Sequence, residues 1–281
     1  MKSFLNILTI AAMFLLTPCP IIAAEPLKVI YAGFGRFGTT SLLEALTHLG
    51  YKATHGSIIG RDLTGLHANM GEALMKGDVT RLLEETSRLG YNATITSHNI
   101  YWREMMAHTP NAKIIFMMRD FEPWFDSLST MHGDLAPLFR YPLQALPFAQ
   151  RIYRYTMALM IQTFEPRGYS RDEIQVMCDD PKGELSRKAY KEQYEEYIVD
   201  MTRILKDQPQ RAFLFDKNEG YPQLCRILDI PLKDCPSEKV FPHANVVKKE
   251  GRIFRALEHA AHGLIFIVIY ILWRGLKGKH T

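Results

Sequence analysis

The sequence predicts an α/β fold in which a parallel sheet carries helices on both faces. Three observations support this. Short apolar runs of strand length alternate with stretches of helical periodicity. One of those runs, Lys113–Arg119, contains Ile-Ile-Phe-Met-Met without polar alternation, as strands buried on both faces do. A glycine-rich turn, Gly33-Phe34-Gly35-Arg36-Phe37-Gly38-Thr39-Thr40-Ser41, joins the first strand-like run to the first helix-like run.

The elements follow in order. Leu27–Ala32 is apolar, too short for a helix and bounded by glycine, so it is read as strand one. Leu42, Leu43, Leu46 and Leu49 give Ser41–Leu49 a helical spacing, which Gly50 ends. Tyr51–His55 is a short second strand. Leu63–Met75 and Val79–Leu89 read as helices, the latter closed by Gly90. Tyr91–Ser97 is rich in β-branched residues and reads as strand three. Asn99–Met106 is a helix, Lys113–Arg119 a strand and Glu122–Met131 a helix. Residues 135–206 read as mostly helical, broken by a loop at Cys178–Gly183. Arg211–Lys217 is a last strand, Tyr221–Leu228 its helix and Pro231–Pro242 a loop.

Residues 25–250 are read as one domain, long enough for a substantial core. The ends differ in character. Residues 1–24 read as a secretory signal, with Lys2, an apolar Phe4–Leu16 and small residues at Ala23-Ala24. An uncleaved anchor is the other reading, because Ile22 is not small. Residues 256–276 include an uninterrupted apolar run, Leu264–Trp273, followed by a basic tail, 277–281. A membrane helix is the first reading of this segment, and an interfacial or core helix the others. Either end implies a membrane or secretory-pathway location with a lumenal domain. The net charge of +4 is too mild for a nucleic-acid binder. None of the four cysteines has metal-ligand spacing. Cys225 and Cys235 can pair in a lumenal domain, and free buried thiols are the alternative. Asn92-Ala93-Thr94 fits a glycosylation acceptor but falls in a predicted buried strand.

A strand, a tight glycine turn and a helix N-terminus form an anion site, since free backbone N–H groups and the helix dipole favour negative charge. Gly33, Gly35 and Gly38 fit a dinucleotide fingerprint, yet strand two ends Ala53-Thr54-His55-Gly56 with no ribose-binding acid. Gly33 and Gly38 also have nucleoside-triphosphatase spacing, yet Thr39 stands where the phosphate-binding lysine belongs.

The pattern Arg36-Phe37-Gly38-Thr39-Thr40 resembles the 5′-phosphosulfate loop of sulfotransferases, where a basic residue precedes the glycine by two positions. That residue is usually lysine; arginine is familiar in a membrane-associated or fungal-type branch. Arg119 and, eight residues on, Ser127 resemble the pair with which this family binds a 3′-phosphate. Arginine forks two N–H groups onto a phosphate, and a serine in the following helix adds a hydroxyl. Ala212–Asp216, Tyr221–Cys225 and Phe241-Pro242-His243-Ala244-Asn245 extend the similarity over about Leu27–Val247.

The resemblance implies a P-loop-type three-layer fold with a helical insertion. It implies sulfuryl transfer from 3′-phosphoadenosine 5′-phosphosulfate to a hydroxyl or amine, without a metal. Gly35, Arg36, Phe37, Gly38, Thr39, Thr40 and Ser41 would hold the 5′ side, with Arg36 also catalytic, and Arg119 and Ser127 the 3′-phosphate. His98, in Thr96-Ser97-His98, resembles the family's base in Lys-Thr-His, with Thr96 in the lysine's place. His55, after strand two, is the rival base. A P-loop kinase or hydrolase, and a membrane-anchored nucleotide binder without turnover, are the alternatives.

Overall fold

The computed structural model describes residues 27–56, 65–95, 101–236 and 240–242. The expected leader 1–24, the apolar segment 256–276, the basic tail 277–281 and the candidate base His98 lie outside the described residues.

Five strands form one sheet: β1 Val29–Tyr31, β2 Ala53–His55, β3 Ala93–Ile95, β4 Lys113–Phe116 and β5 Ala212–Leu214. Their order is β2-β3-β1-β4-β5, and every pairing is parallel. All five chain segments therefore leave the sheet at one edge. β1 lies in the middle, with Val29 opposite both Ala93 and Lys113. The order also bears on the dinucleotide reading, because that fold sets β2 beside β1, whereas here β3 separates them.

The helices are α1 Thr39–His48, α2 Ala68–Lys76, α3 Val79–Arg88, α4 Trp102–His108, α5 Phe121–Leu135, α6 Pro147–Phe164, α7 Arg171–Asp179, α8 Glu184–Asp207 and α9 Gly220–Ile227. Their ends follow local chemistry. Gly50 takes φ +82° just after α1, a left-handed value glycine adopts without steric cost. Asp78 accepts the Arg81 N–H at the start of α3. Ser170 and Glu173 close a reciprocal capping box on α7. α8 runs 24 residues and turns Tyr190, Tyr197, Met201 and Ile204 into the core, one helical stripe.

The chain leaves β1 through α1 toward the β2 side of the sheet and later returns from β3 through α4 to β4 on the other side. The crevice above the end of β1 is thus a topological switch point, where α/β folds bind ligands.

The strands are shorter than the apolar runs that predict them. Lys113–Arg119 pairs only to Phe116, so Arg119 stands three residues beyond the strand, in the connection to α5. Met117 stays buried there without ladder pairing, so its apolar character marks packing. The span 135–206 is mostly helical: it opens with 3-10 turns at Ala136–Phe139 and Leu143–Ala145, and its long helices are interrupted at 165–170, where Glu165–Arg167 forms another 3-10 turn, and at 180–183. Asn92 uses its side-chain carbonyl to accept the Lys52 N–H, which agrees with an engaged strand entry. Cys225 and Cys235 are disulfide-bonded, joining α9 to the 3-10 turn Leu232–Asp234. Among the described residues no helix is long and apolar enough to cross a membrane.

Candidate functional site

The glycine-rich turn rises from the end of β1 at the switch point. Gly33 is required by space: a Cβ there would lie 2.5 Å from the Tyr31 hydroxyl. Gly38 is required by conformation, with φ +106° at the entry to α1. Arg36 also has positive φ, +74°, which costs a non-glycine residue on the order of 1 kcal/mol. Such a value persists only where neighbours hold it.

They do so through the carbonyls. Tyr31 Oη donates to Phe34 O at 2.8 Å, Trp124 Nε1 to Gly35 O at 3.0 Å and Arg119 Nη1 to Arg36 O at 3.1 Å. Three successive carbonyl groups are each bonded by a side chain, which fixes the course of the turn. A turn built this way presents N–H groups to an anion, with the dipole of α1 behind it. No side chain caps the α1 N-terminus.

An aromatic cluster backs the turn. Phe34 stacks on Trp124 with ring centroids 4.6 Å apart and packs on Tyr197 at 4.8 Å. Tyr197 Oη lies 3.1 Å from Ala32 O and 2.8 Å from Met117 O, bridging the chain just beyond β1 and β4. Tyr194 Oη donates to Arg119 O at 3.0 Å. Burial raises the Tyr31 and Tyr197 phenols above their usual range, so both remain protonated donors.

The residues predicted for the two ends of one ligand converge. Arg36 Nε donates to Ser127 Oγ at 3.0 Å across 91 residues of sequence, and Arg119 reaches the Arg36 carbonyl. Burial first, and the nearby Arg119 charge second, hold the Arg36 guanidinium below its usual range. Among the described residues neither arginine has a carboxylate partner. Two half-buried cations lacking such partners favour an anion between them.

The remaining candidates fall into three groups. Thr39 and Ser41 are buried and Thr40 half-buried in the first turn of α1, and Thr39 Oγ1 meets His55 Nε2 at 3.2 Å. Gly35 belongs to the turn through its backbone. Phe37 is buried edge-on to Phe34 and Trp124, so its part in the turn is backbone as well. His55 thus touches the turn, while His98 falls outside the described residues. Among the described residues no group of three His, Cys, Asp or Glu side chains could hold a metal ion.

Tyr31, Trp124, Tyr194 and Tyr197 hold the turn and the chain beside it, and the sequence reading did not single them out. Trp124 stands inside the same stretch as Arg119 and Ser127, which is the one signal that marks it. The α8 tyrosines have the spacing of an ordinary core stripe.

Residues 28–249 match the family model of the sulfotransferase domain. No individually curated protein matches the sequence. With a parallel sheet, a glycine-rich turn at its switch point and a family match over most of its length, the chain belongs to the sulfotransferase family and is a transferase.

Proposed function

We propose that the protein transfers a sulfuryl group from 3′-phosphoadenosine 5′-phosphosulfate to a hydroxyl or amine acceptor. The observation that carries this reading is the convergence of Arg36, Arg119 and Ser127 on a turn whose carbonyls are engaged by side chains. Such a site suits a ligand that brings more than one anionic group close together, as the two phosphates on one ribose do.

In this reading the turn's N–H groups, Thr39 and Thr40 hold the 5′-phosphate, and Arg119 with Ser127 the 3′-phosphate. Sulfuryl transfer is in line and loose, so positioning and charge stabilisation do most of the work. The bond from sulfur to the donor's phosphate oxygen breaks, and its electrons stay on that oxygen. The acceptor oxygen or nitrogen bonds sulfur and gives up its proton, for which we assign His98 as base. Ser127 accepts from Arg36 and keeps its own hydrogen for the 3′-phosphate, so one hydroxyl serves both groups. The remaining N–H groups of the Arg36 guanidinium can then meet charge developing on the leaving phosphate.

We further propose that the domain works in an oxidising, lumenal compartment and associates with a membrane through residues 256–276. The Cys225–Cys235 disulfide and the apolar terminal segments support this.

Calorimetric titration with adenosine 3′,5′-bisphosphate tests the donor assignment, and absence of binding would overturn it. Arg119→Ala should weaken that binding by about ten- to a hundred-fold, the worth of a charge-assisted phosphate contact. An unaltered affinity would remove Arg119 from the site.

A further inference from the structure

We propose that His55 is a positioning residue of the donor site: it donates a hydrogen bond to Thr39 and so aims the Thr39 hydroxyl hydrogen at the 5′-phosphate that carries the sulfuryl group. The proposal rests on the donor reading above.

Thr39 does not make the hydrogen bond that five other threonines in or at the end of helices make. Thr47, Thr86, Thr109, Thr163 and Thr202 each return their hydroxyl to the carbonyl four residues back. For Thr39 that carbonyl belongs to Gly35, and the Trp124 indole already bonds it. The Thr39 hydroxyl is buried and meets a ring nitrogen instead, His55 Nε2 at 3.2 Å. The fold brings the two together over a distance in the sheet. His55 ends the edge strand β2, and β3 lies between it and β1. α1 packs on both β2 and β3, which sets its first turn over His55.

The bonding arithmetic then assigns the proton. A threonine hydroxyl has one hydrogen and can also accept, whereas a phosphate oxygen only accepts. Thr39 can therefore serve the phosphate only if its oxygen accepts from His55. The ring must carry hydrogen on Nε2. A ring lacking it would take the Thr39 hydrogen and cost the phosphate a donor. His55 thus acts through Thr39 on the donor side, a different task from the acceptor's base.

The test compares wild type, His55→Ala and His55→Gln in titrations with adenosine 3′,5′-bisphosphate and with adenosine 3′-monophosphate, which lacks the 5′-phosphate. Glutamine places an amide N–H near the position of Nε2 and does not titrate. His55→Ala should weaken the bisphosphate about ten-fold and leave the monophosphate unchanged. His55→Gln should restore the bisphosphate affinity. Thr39→Val added to His55→Ala should cost little more, since the two act as a unit. Equal loss of both ligands in His55→Ala would mean a merely structural role and overturn the proposal. So would a His55→Gln variant as weak as His55→Ala. Wild-type protein that binds neither ligand would bring down the donor reading itself, an outcome distinct from either of these.

Discussion

A single histidine shows how burial sets chemistry at the scale of one residue. His132 lies on α5, with the Tyr190 hydroxyl 3.4 Å from its Nδ1. Desolvation alone pulls its pKa down to about 4. The unfolded chain binds this proton near pH 6.5, so between those values the unfolded state holds more protons than the folded one. Stability should therefore be full above about pH 6.5 and fall with pH toward 4, by up to about 3 kcal/mol. Denaturant unfolding from pH 7.5 to 4.5 would show this slope, and His132→Gln should flatten it. An unchanged slope in the variant would assign the effect to other groups. The residues of the proposed donor turn are local too, and their pattern can be read from the sequence. Arg36 two before Gly38, and Arg119 eight before Ser127, are patterns of neighbouring residues, and a chain reading preserves such patterns.

At the scale of an element, α8 acts as a strut under the glycine-rich turn. Tyr194 and Tyr197 carry its hydrogen bonds to the chain beyond β1 and β4. Asp200, further along the helix, accepts from Arg103 Nε at 2.8 Å and ties α8 to α4. Tyr197→Phe keeps the aromatic packing and removes the hydroxyl from the Ala32 and Met117 carbonyls. It should cost about 1–2 kcal/mol in denaturant unfolding and weaken adenosine 3′,5′-bisphosphate binding several-fold by loosening the turn. Loss of stability without loss of affinity would make α8 a core helix only. The tyrosine stripe gave no warning of this role. Helical spacing shows which face is buried, but the direction of a phenol hydroxyl depends on carbonyls more than 70 residues away in sequence. The same limit applies to Trp124, whose indole N–H finds Gly35 across 89 residues.

At the scale of the whole molecule, the Cys225–Cys235 disulfide bears on where the protein can work. The cysteines are ten residues apart, and closing a loop of that size is worth about 2–3 kcal/mol on the chain-entropy account. Replacing both by serine should lower the urea midpoint accordingly without changing the slope. Reductant should reproduce the shift in wild type and do nothing to the variant. Equal sensitivity of both proteins to reductant would show the bond to be idle.

The sequence by itself determined the α/β class, the helices and the glycine-rich turn that joins the first strand to the first helix. These rest on periodicity, glycine placement and helix caps, each set by residues within a turn or two of one another. Only the tertiary structure decided the strand order β2-β3-β1-β4-β5, the meeting of Arg36 with Ser127, and the contact of His55 with Thr39. The sheet fixes those by bringing the ends of parallel strands to one edge. Residues far apart in the chain become neighbours there, and no local pattern records which hydroxyl or ring nitrogen will face which.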